Sequence, residues 1–246
     1  VCSSDLHTVH ANIMIVYYVN IHKSVTHYKI ALNSKPDNPE SMIWLWWCYL
    51  LIGKTDAALT LGERCIEVDP LNPIYHNGIR GLNHFMMGQF NLAIEPIFSV
   101  YRLQPEASMW QGWKAQVLMY NDRVDETYDF LNEAVKESAE DSGSRLLVFL
   151  KYAILGDRKK LTSLLTPDFI KEMKKDLQYS WHLAAIFAFI NEKEQALEWL
   201  EHAVNRGFIN YPFLKNHDRL LDNIKSEERF QKLLERVKYE WENFEV

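Results

Sequence analysis

The sequence repeats itself between residues 42 and 105, which read MIWLWWCYLLIGKTDAALTLGERCIEVDPLNPIYHNGIRGLNHFMMGQFNLAIEPIFSVYRLQP. Gly53 recurs 35 residues later as Gly88, and Ala58 and Ala93 have the same spacing. A proline closes both copies at the same interval. One register therefore describes both copies, and a period of this length indicates a pair of helices that stacks into a solenoid.

The repeated pattern resembles the tetratricopeptide repeat. The first copy has Trp46 where that pattern has a small Gly, while the second has Gly81 there but Arg80 in the Leu position. Two partial matches in one register support each other. The resemblance implies an all-α fold, a right-handed α-α superhelix of five to six helix pairs with a capping helix at its C-terminal end.

Composition limits the class of protein. The 246 residues are 48% hydrophobic and carry a net charge of -6, and Lys and Arg are not concentrated in a stripe, which argues against nucleic-acid binding. The apolar run from Met42 to Ile52 is shorter than the roughly 18 residues needed to span a bilayer. Cys2, Cys48 and Cys65 have no paired spacing, which favours a reducing, cytoplasmic location without a disulfide framework.

Three regions are expected along the chain. Residues 1–6 read VCSSDL, which matches the in-frame translation of a common sequencing-adapter end, so we expect them to be foreign and to have no packing role. Residues 7–207 form the repeat array. Residues 208–246 do not repeat the pattern, and we expect them to cap the last repeat unit. If residues 1–6 are foreign, the natural N-terminus is missing.

Local signals predict several helix boundaries. Ser41 is a candidate N-cap and Gly53 a helix end. Pro96 lies inside a predicted helix, where it should produce a kink. Thr166 followed by Pro167 predicts the start of an extra helix outside the repeat pattern.

The C-terminal end has a narrower resemblance. Residues 206–214, RGFINYPFL, and the ending WENFEV at 241–246 are similar to the C-terminal end of bacterial multidomain signalling proteins. In that group a serine/threonine kinase, cyclase or winged-helix domain precedes a tetratricopeptide array. The resemblance implies that this chain is the C-terminal part of such a protein, and that any catalytic domain lies upstream.

No catalytic motif is found. The sequence lacks the phosphate-loop, dinucleotide-binding, hydrolase-elbow, zinc-protease and kinase patterns. His7 and His10 are three residues apart on a predicted helix, but no third ligand accompanies them. We therefore predict no enzyme activity, no cofactor and no metal site in this chain.

The aromatic content suggests a binding surface. In a tetratricopeptide stack the first helix of each pair lines the concave face, and an apolar groove containing methionine can take a partner's helix or peptide. Arg80 and Lys114 alone lie near this surface, which disfavours an acidic peptide. The predicted groove residues are Ile43, Trp47, Leu50, Tyr75, Leu82, Phe85, Met86, Met109, Met119, Tyr120 and Trp181, with Gln116 on the same line.

Two hypotheses follow. The leading one is a non-catalytic scaffold that binds a protein or peptide partner and has neither direct nucleic-acid contact nor a membrane span. The alternative is an intact enzyme, or a helical-repeat protein that binds a small molecule in the groove. Much of the aromatic set could also be core, with Trp44, Trp110 and Trp113 the strongest candidates for packing.

Overall fold

The computed structural model describes residues 3–16, 18, 20–136 and 140–246, and all regular structure in them is helical. None of these helices is long and apolar enough to cross a membrane. The helices, in chain order, are α1 Ser3–Val16, α2 Ile21–Ser34, α3 Pro39–Ile52, α4 Thr55–Val68, α5 Pro73–Met86, α6 Phe90–Leu103, α7 Ser108–Tyr120, α8 Val124–Ala134, α9 Ser142–Leu155, α10 Arg158–Leu164, α11 Pro167–Met173, α12 Leu177–Phe189, α13 Lys193–Asn205, α14 Tyr211–Asn216, a 3₁₀ helix Arg219–Ile224 and α15 Glu228–Glu242.

Six helix pairs form the repeat array of the described residues. Each pair packs internally and against the next, as the 35-residue period predicts. The pairs are α1 with α2, α3 with α4, α5 with α6, α7 with α8, α9 with α10, and α12 with α13. Helix α11 is the extra helix, and the oxygen of Thr166 accepts the backbone N–H of Phe169 as predicted for its cap.

The ends of α3 show one correct and one wrong boundary prediction. The helix ends at Gly53, whose φ of 80° is in the left-handed region that favours glycine. Its N-cap is Asn38, not Ser41: the Asn38 side chain accepts the N–H of Ser41, and Pro39 occupies the first helical position. The prediction was wrong because the N–H of Ser41 is already bonded to the Asn38 side chain, which places Ser41 inside the helix. Helix α6 continues through Pro96, so the kink stays a prediction.

The N-terminal residues take part in packing, contrary to expectation. Val1 and Cys2 lie outside the described residues, but α1 begins at Ser3, four residues before the predicted start. Ser4 is fully buried and its hydroxyl donates to the carbonyl of Ala31 in α2. The foreign origin of residues 1–6 stays a prediction, but their lack of a packing role was wrong for Ser4.

Residues 208–224, which we call the inner segment, run through the concave face of the array. Phe213 lies 5.7 Å from the ring of Phe85, 6.1 Å from Tyr120 and 5.5 Å from Trp181, between ring centroids. These rings belong to α5, α7 and α12, so one side chain joins three repeat units. The inner segment is therefore part of the core, because it fills space that the stacked pairs alone would leave open.

Hydrogen bonds fix the inner segment at two positions, Asn210 and Asp218. Asn210 donates to the carbonyl of Leu50 at 2.7 Å and accepts the N–H of Phe213 as the cap of α14. The carboxylate of Asp218 accepts the hydroxyl of Tyr120 at 2.6 Å and the indole N–H of Trp181 at 2.7 Å. Burial raises the pKa of Asp218 to about 6, and the two donors oppose that rise.

Helix α15 covers the end of the array and reaches back to its start. Its buried Phe230, Leu233 and Val237 recur at helical spacing and form one apolar face. Trp241 donates to the carbonyl of Gly53 at 3.0 Å, and beyond the helix the ring of Phe244 lies 4.4 Å from His22. The C-terminal region thus contacts the first two repeat units as well as the last.

Replacing Phe213 by alanine should destabilise the whole array, since the change empties a site shared by three units. We expect a loss of about 3–5 kcal/mol in the free energy of unfolding, measured by urea denaturation. The control is Leu71→Ala, because Leu71 is 91% exposed. A Phe213→Ala cost no larger than that of the control would contradict a core role for the inner segment.

Candidate functional site

The first helices of five units line a cavity of about 480 Å³. The inner segment lies against another part of the same face, at Leu50, Phe85, Tyr120 and Trp181. The residues that line the cavity are Ile43, Trp44, Trp46 and Trp47 of α3; Ile74, Tyr75, Gly78, Ile79 and Leu82 of α5; Ser108, Met109, Trp110, Gly112, Trp113 and Gln116 of α7; Leu146, Leu147 and Leu150 of α9 with Gly143; and Gln178, Tyr179, His182 and Ile186 of α12 with Asp176.

Aromatic walls dominate the cavity, and other residues hold them in place. The indole N–H of Trp46 donates to Asn83 at 2.9 Å, and that of Trp110 to Gln104 at 3.1 Å. The Trp47 ring meets the Trp113 ring edge-on, with centroids 6.0 Å apart. These contacts fix the orientation of the rings before any ligand arrives.

The charged groups lie away from the cavity or at its rim. No Lys or Arg is among the described residues that line it. Lys114 instead places its ammonium 4.1 Å from the centroid of the Tyr101 ring and 4.0 Å from that of Phe130, and Arg80 is exposed. Asp176 is exposed as a residue and lines the rim, where its carboxylate caps α12 by accepting the N–H of Gln178. Desolvation by the surrounding protein raises the pKa of this carboxyl group. The interior of the cavity is therefore uncharged.

Two buried polar atoms in the cavity lining have no hydrogen-bond partner among the described residues. They are Oε1 of Gln116 and Nε2 of His182, in side chains that are 3% and 5% exposed. Burial lowers the pKa of His182 to about 3, so the ring is neutral at physiological pH. A buried polar atom without a partner costs free energy. Both atoms are closed off from solvent in this structure, so a ligand could form hydrogen bonds with them only after these side chains turn toward the cavity.

Gly112 opens the cavity wall within α7. A Cβ built at this position meets no atom within 4 Å, whereas one at Gly81 would lie 2.7 Å from Ile97. Close packing therefore explains why position 81 is a glycine, but it does not explain Gly112. A glycine inside a helix lowers the stability of the helix by up to about 1 kcal/mol relative to alanine. What Gly112 provides is space, one helical turn before Gln116 on the same face.

The predicted groove residues divide into two groups. Ile43, Trp47, Tyr75, Leu82 and Met109 line the cavity, as does Gln116, and Met109 is 57% exposed at its mouth. The others are all buried and do not line it. Four of them contact the inner segment, so the open groove is shorter than expected. The buried residues are Leu50, Phe85, Met86, Met119, Tyr120 and Trp181.

Sequence reasoning missed part of the lining. Trp44, Trp110 and Trp113 are the strongest candidates for packing from the sequence, and the structure shows that they line the cavity as well. The predicted groove does not include α9, although Leu146 and Leu150 are one turn apart on one face, a spacing that indicates a shared surface. His182 gives no signal in the sequence because it is a single histidine in a mostly apolar helix, with no motif around it.

The histidines near the N-terminus contact one another. Nδ1 of His7 lies 3.0 Å from Nδ1 of His27, and the ring of His10 stacks on His27 with centroids 4.2 Å apart. Among the described residues no group of three His, Cys, Asp or Glu side chains could hold a metal ion. Cys48 and Cys65 are both free and buried.

Comparison with known proteins supports the fold. No protein-family model matches the chain, and no curated protein matches it in sequence. A tetratricopeptide repeat protein from Parabacteroides merdae is similar in structure, with a TM-score of 0.55 and 15% identity over 96% of this chain and 84% of that chain. The chain therefore has the fold of a tetratricopeptide-repeat solenoid.

Two further solved structures align at lower TM-scores, which add nothing to the assignment of the fold. A MamA double mutant aligns with a TM-score of 0.43 and 11% identity, over 83% of this chain and 94% of that chain. YrrB, described as a TPR protein with an unusual peptide-binding site, aligns with a TM-score of 0.40 and 16% identity, over 73% and 92% of the two chains.

The neutral, buried state of His182 predicts a pH dependence of stability. Below about pH 6.5 the unfolded chain protonates this histidine, whereas the folded protein resists protonation down to about pH 3. Wild type should therefore lose stability relative to His182→Phe as the pH falls through this range, by on the order of 2 kcal/mol between pH 8 and pH 5. Urea denaturation at both pH values measures it. If the difference in the free energy of unfolding between wild type and His182→Phe is the same at both pH values, His182 is not held neutral by burial.

Gly112→Ala should stabilise the protein by up to about 1 kcal/mol, because alanine favours the helix and its methyl group meets open space. Gly81→Ala is the matched control within α5 and should destabilise, since its methyl group would press on Ile97. Thermal denaturation of both variants measures the contrast. Loss of stability in Gly112→Ala would show that packing, not open space, surrounds this position.

Proposed function

We propose that this protein is a non-catalytic interaction scaffold that binds a helix or extended peptide of a partner protein in the cavity. The single observation that carries the proposal is the inner segment. The chain already seats an aromatic-bearing segment of its own in one half of the concave face, through Phe213 and the hydrogen bonds of Asn210 and Asp218. The other half has the same aromatic chemistry around a cavity.

The contacts of the inner segment indicate how the face recognises a chain. Rings from three units surround one aromatic side chain, while a side-chain amide pairs with a backbone carbonyl. In the cavity half, Trp47, Tyr75 and Trp113 supply comparable rings from three units. Rigid aromatic walls of this kind favour a partner that inserts a large apolar or aromatic anchor.

Charge limits the class of partner. The uncharged cavity interior and the carboxylate of Asp176 at its rim offer no cationic group to an acidic peptide or a phosphate backbone. The net charge of -6 also disfavours binding of an acidic peptide or a phosphate backbone. The proposed partner is therefore a neutral or basic apolar peptide rather than an acidic tail or a nucleic acid.

The proposal extends to a cytoplasmic signalling protein of which this chain is the C-terminal arm. It rests on the similarity of residues 206–214 and 241–246 to bacterial signalling proteins. A second support is the outer face of α1, where Val9 and Ile13 are 55% and 39% exposed. A preceding helical unit would cover these side chains.

A small organic molecule is the second candidate ligand. The cavity volume of about 480 Å³ lies within the roughly 300–1,000 Å³ typical of small-molecule sites, and such sites also combine apolar walls with few polar groups. The inner segment favours the peptide, since it shows a polypeptide lying on the same face.

Selection of peptides from a random displayed library against the full chain tests the proposal. Selected peptides should bind wild type, and Gly112→Phe should weaken them at least about tenfold because its ring fills the cavity, as measured by fluorescence anisotropy. Met109→Arg, at the exposed mouth, is a second blocking variant. Leu71→Phe adds similar bulk at an exposed site and should have no effect.

Peptides that bind Gly112→Phe and Met109→Arg as tightly as wild type would place their site elsewhere. A library that yields no binder at all would argue against the peptide and leave the small molecule as the stronger candidate. Circular dichroism of each variant confirms that a loss of binding is not a loss of fold.

A further inference from the structure

We propose that the polar floor of the cavity recognises the side chain of an unphosphorylated tyrosine in the bound peptide. This inference rests on the proposed function and names what the peptide must carry. Three features support it: the size and aromatic character of the walls, the two unpartnered polar atoms, and the space left by Gly112.

The cavity has room for a phenol ring. Its volume of about 480 Å³ is about three times that of the ~150 Å³ apolar cavity that binds benzene. The remaining space can hold the peptide backbone and a neighbouring side chain. Trp47 and Trp113, already edge-on to each other, offer faces and edges against which a further ring can pack.

The two side chains that carry the unpartnered atoms belong to residues near Trp113. His182 meets the Trp113 ring edge-on, with centroids 5.7 Å apart, and Gln116 is one turn from Trp113 along α7. Oε1 of Gln116 can only accept, and so it requires an N–H or O–H donor. Nε2 of the neutral His182 donates or accepts according to its tautomer. A hydroxyl both donates and accepts, so it suits this pair better than a group with a single role.

Charge excludes the other ligands of similar shape. The absence of Lys and Arg among the described lining residues leaves a phosphate without a counter-ion, and the neutral imidazole of His182 supplies none. The Asp176 carboxylate at the rim adds repulsion toward an anion. A quaternary ammonium group could stack on the rings, but it has no hydrogen to donate to Gln116. The phenol is therefore favoured over phosphotyrosine and over an organic cation.

Gly112 gives the hydroxyl access to Gln116. In a helix a side chain leans toward the preceding turn, so the Gln116 amide extends toward the position one turn earlier. That position is Gly112, where a Cβ would meet nothing within 4 Å. A larger residue there would stand between a ligand and the amide. The glycine that packing does not explain thus lies where the proposed contact needs space.

Titration of the full chain with capped amino acids tests the inference without a known partner. The probes are N-acetyl-tyrosinamide, N-acetyl-phenylalaninamide and N-acetyl-phosphotyrosinamide, and ligand-observed NMR gives each Kd. Wild type should bind the tyrosine probe about tenfold more tightly than the phenylalanine probe, since the latter leaves both buried atoms unpaired. The phosphotyrosine probe should not bind.

Variants assign the preference to particular residues. Gln116→Leu should reduce the tyrosine-to-phenylalanine ratio to about threefold or less while keeping the affinity for the phenylalanine probe. Gln195→Leu, the same change at an exposed position of α13, should leave the ratio at its wild-type value. Gly112→Phe should abolish binding of both probes, and Gly112→Ala should keep most of it.

Equal affinities of wild type for the tyrosine and phenylalanine probes would overturn the inference, since the polar atoms would then be satisfied in another way. An unchanged ratio in Gln116→Leu would overturn it as well. If displayed peptides bind but show no tyrosine preference, this inference fails while the scaffold function stands. If neither peptides nor capped tyrosine bind, the proposed function fails with it.

Discussion

The packing of Phe213 among the rings of Phe85, Tyr120 and Trp181 connects parts of the array that the chain order keeps apart. In an ordinary stack each helix pair contacts only its neighbours, so stability is a sum of local terms. Here one inserted segment contacts α3, α5, α7 and α12. Loss of a core ring at this point therefore affects several units together, and the array gains long-range cooperativity.

The same insertion determines where a ligand can bind. The inner segment occupies the part of the concave face around Leu50, Phe85 and Tyr120, whereas the cavity lies elsewhere on the same face. Helices α3, α5, α7 and α12 thus contribute to both parts. Helix α3 illustrates the division. The carbonyl of Leu50 accepts a hydrogen bond from Asn210, whereas Ile43 lines the cavity.

Buried polar groups distinguish the two halves chemically. Asp218 is fully buried, but two donors hold its carboxylate, so the structural half satisfies its own polar atoms. Gln116 and His182 have polar atoms without a partner among the described residues, in the half that encloses space. Because an unpaired buried group is costly, this contrast separates a surface that completes the fold from one that can gain free energy by binding.

The sequence by itself determined the helix pairs, since the 35-residue period, the turn at Gly53 and the Thr166 cap are local signals set by backbone conformation. Helical spacing also predicted that Ile43, Trp47, Tyr75, Leu82 and Met109 lie on one face, and all five line the cavity. Only the tertiary structure decided that Tyr120 and Trp181 pack under the inner segment, and that His182 and Gly112 face the cavity. Those outcomes depend on contacts between residues far apart in the chain, such as Asn210 with Leu50, which no local pattern encodes.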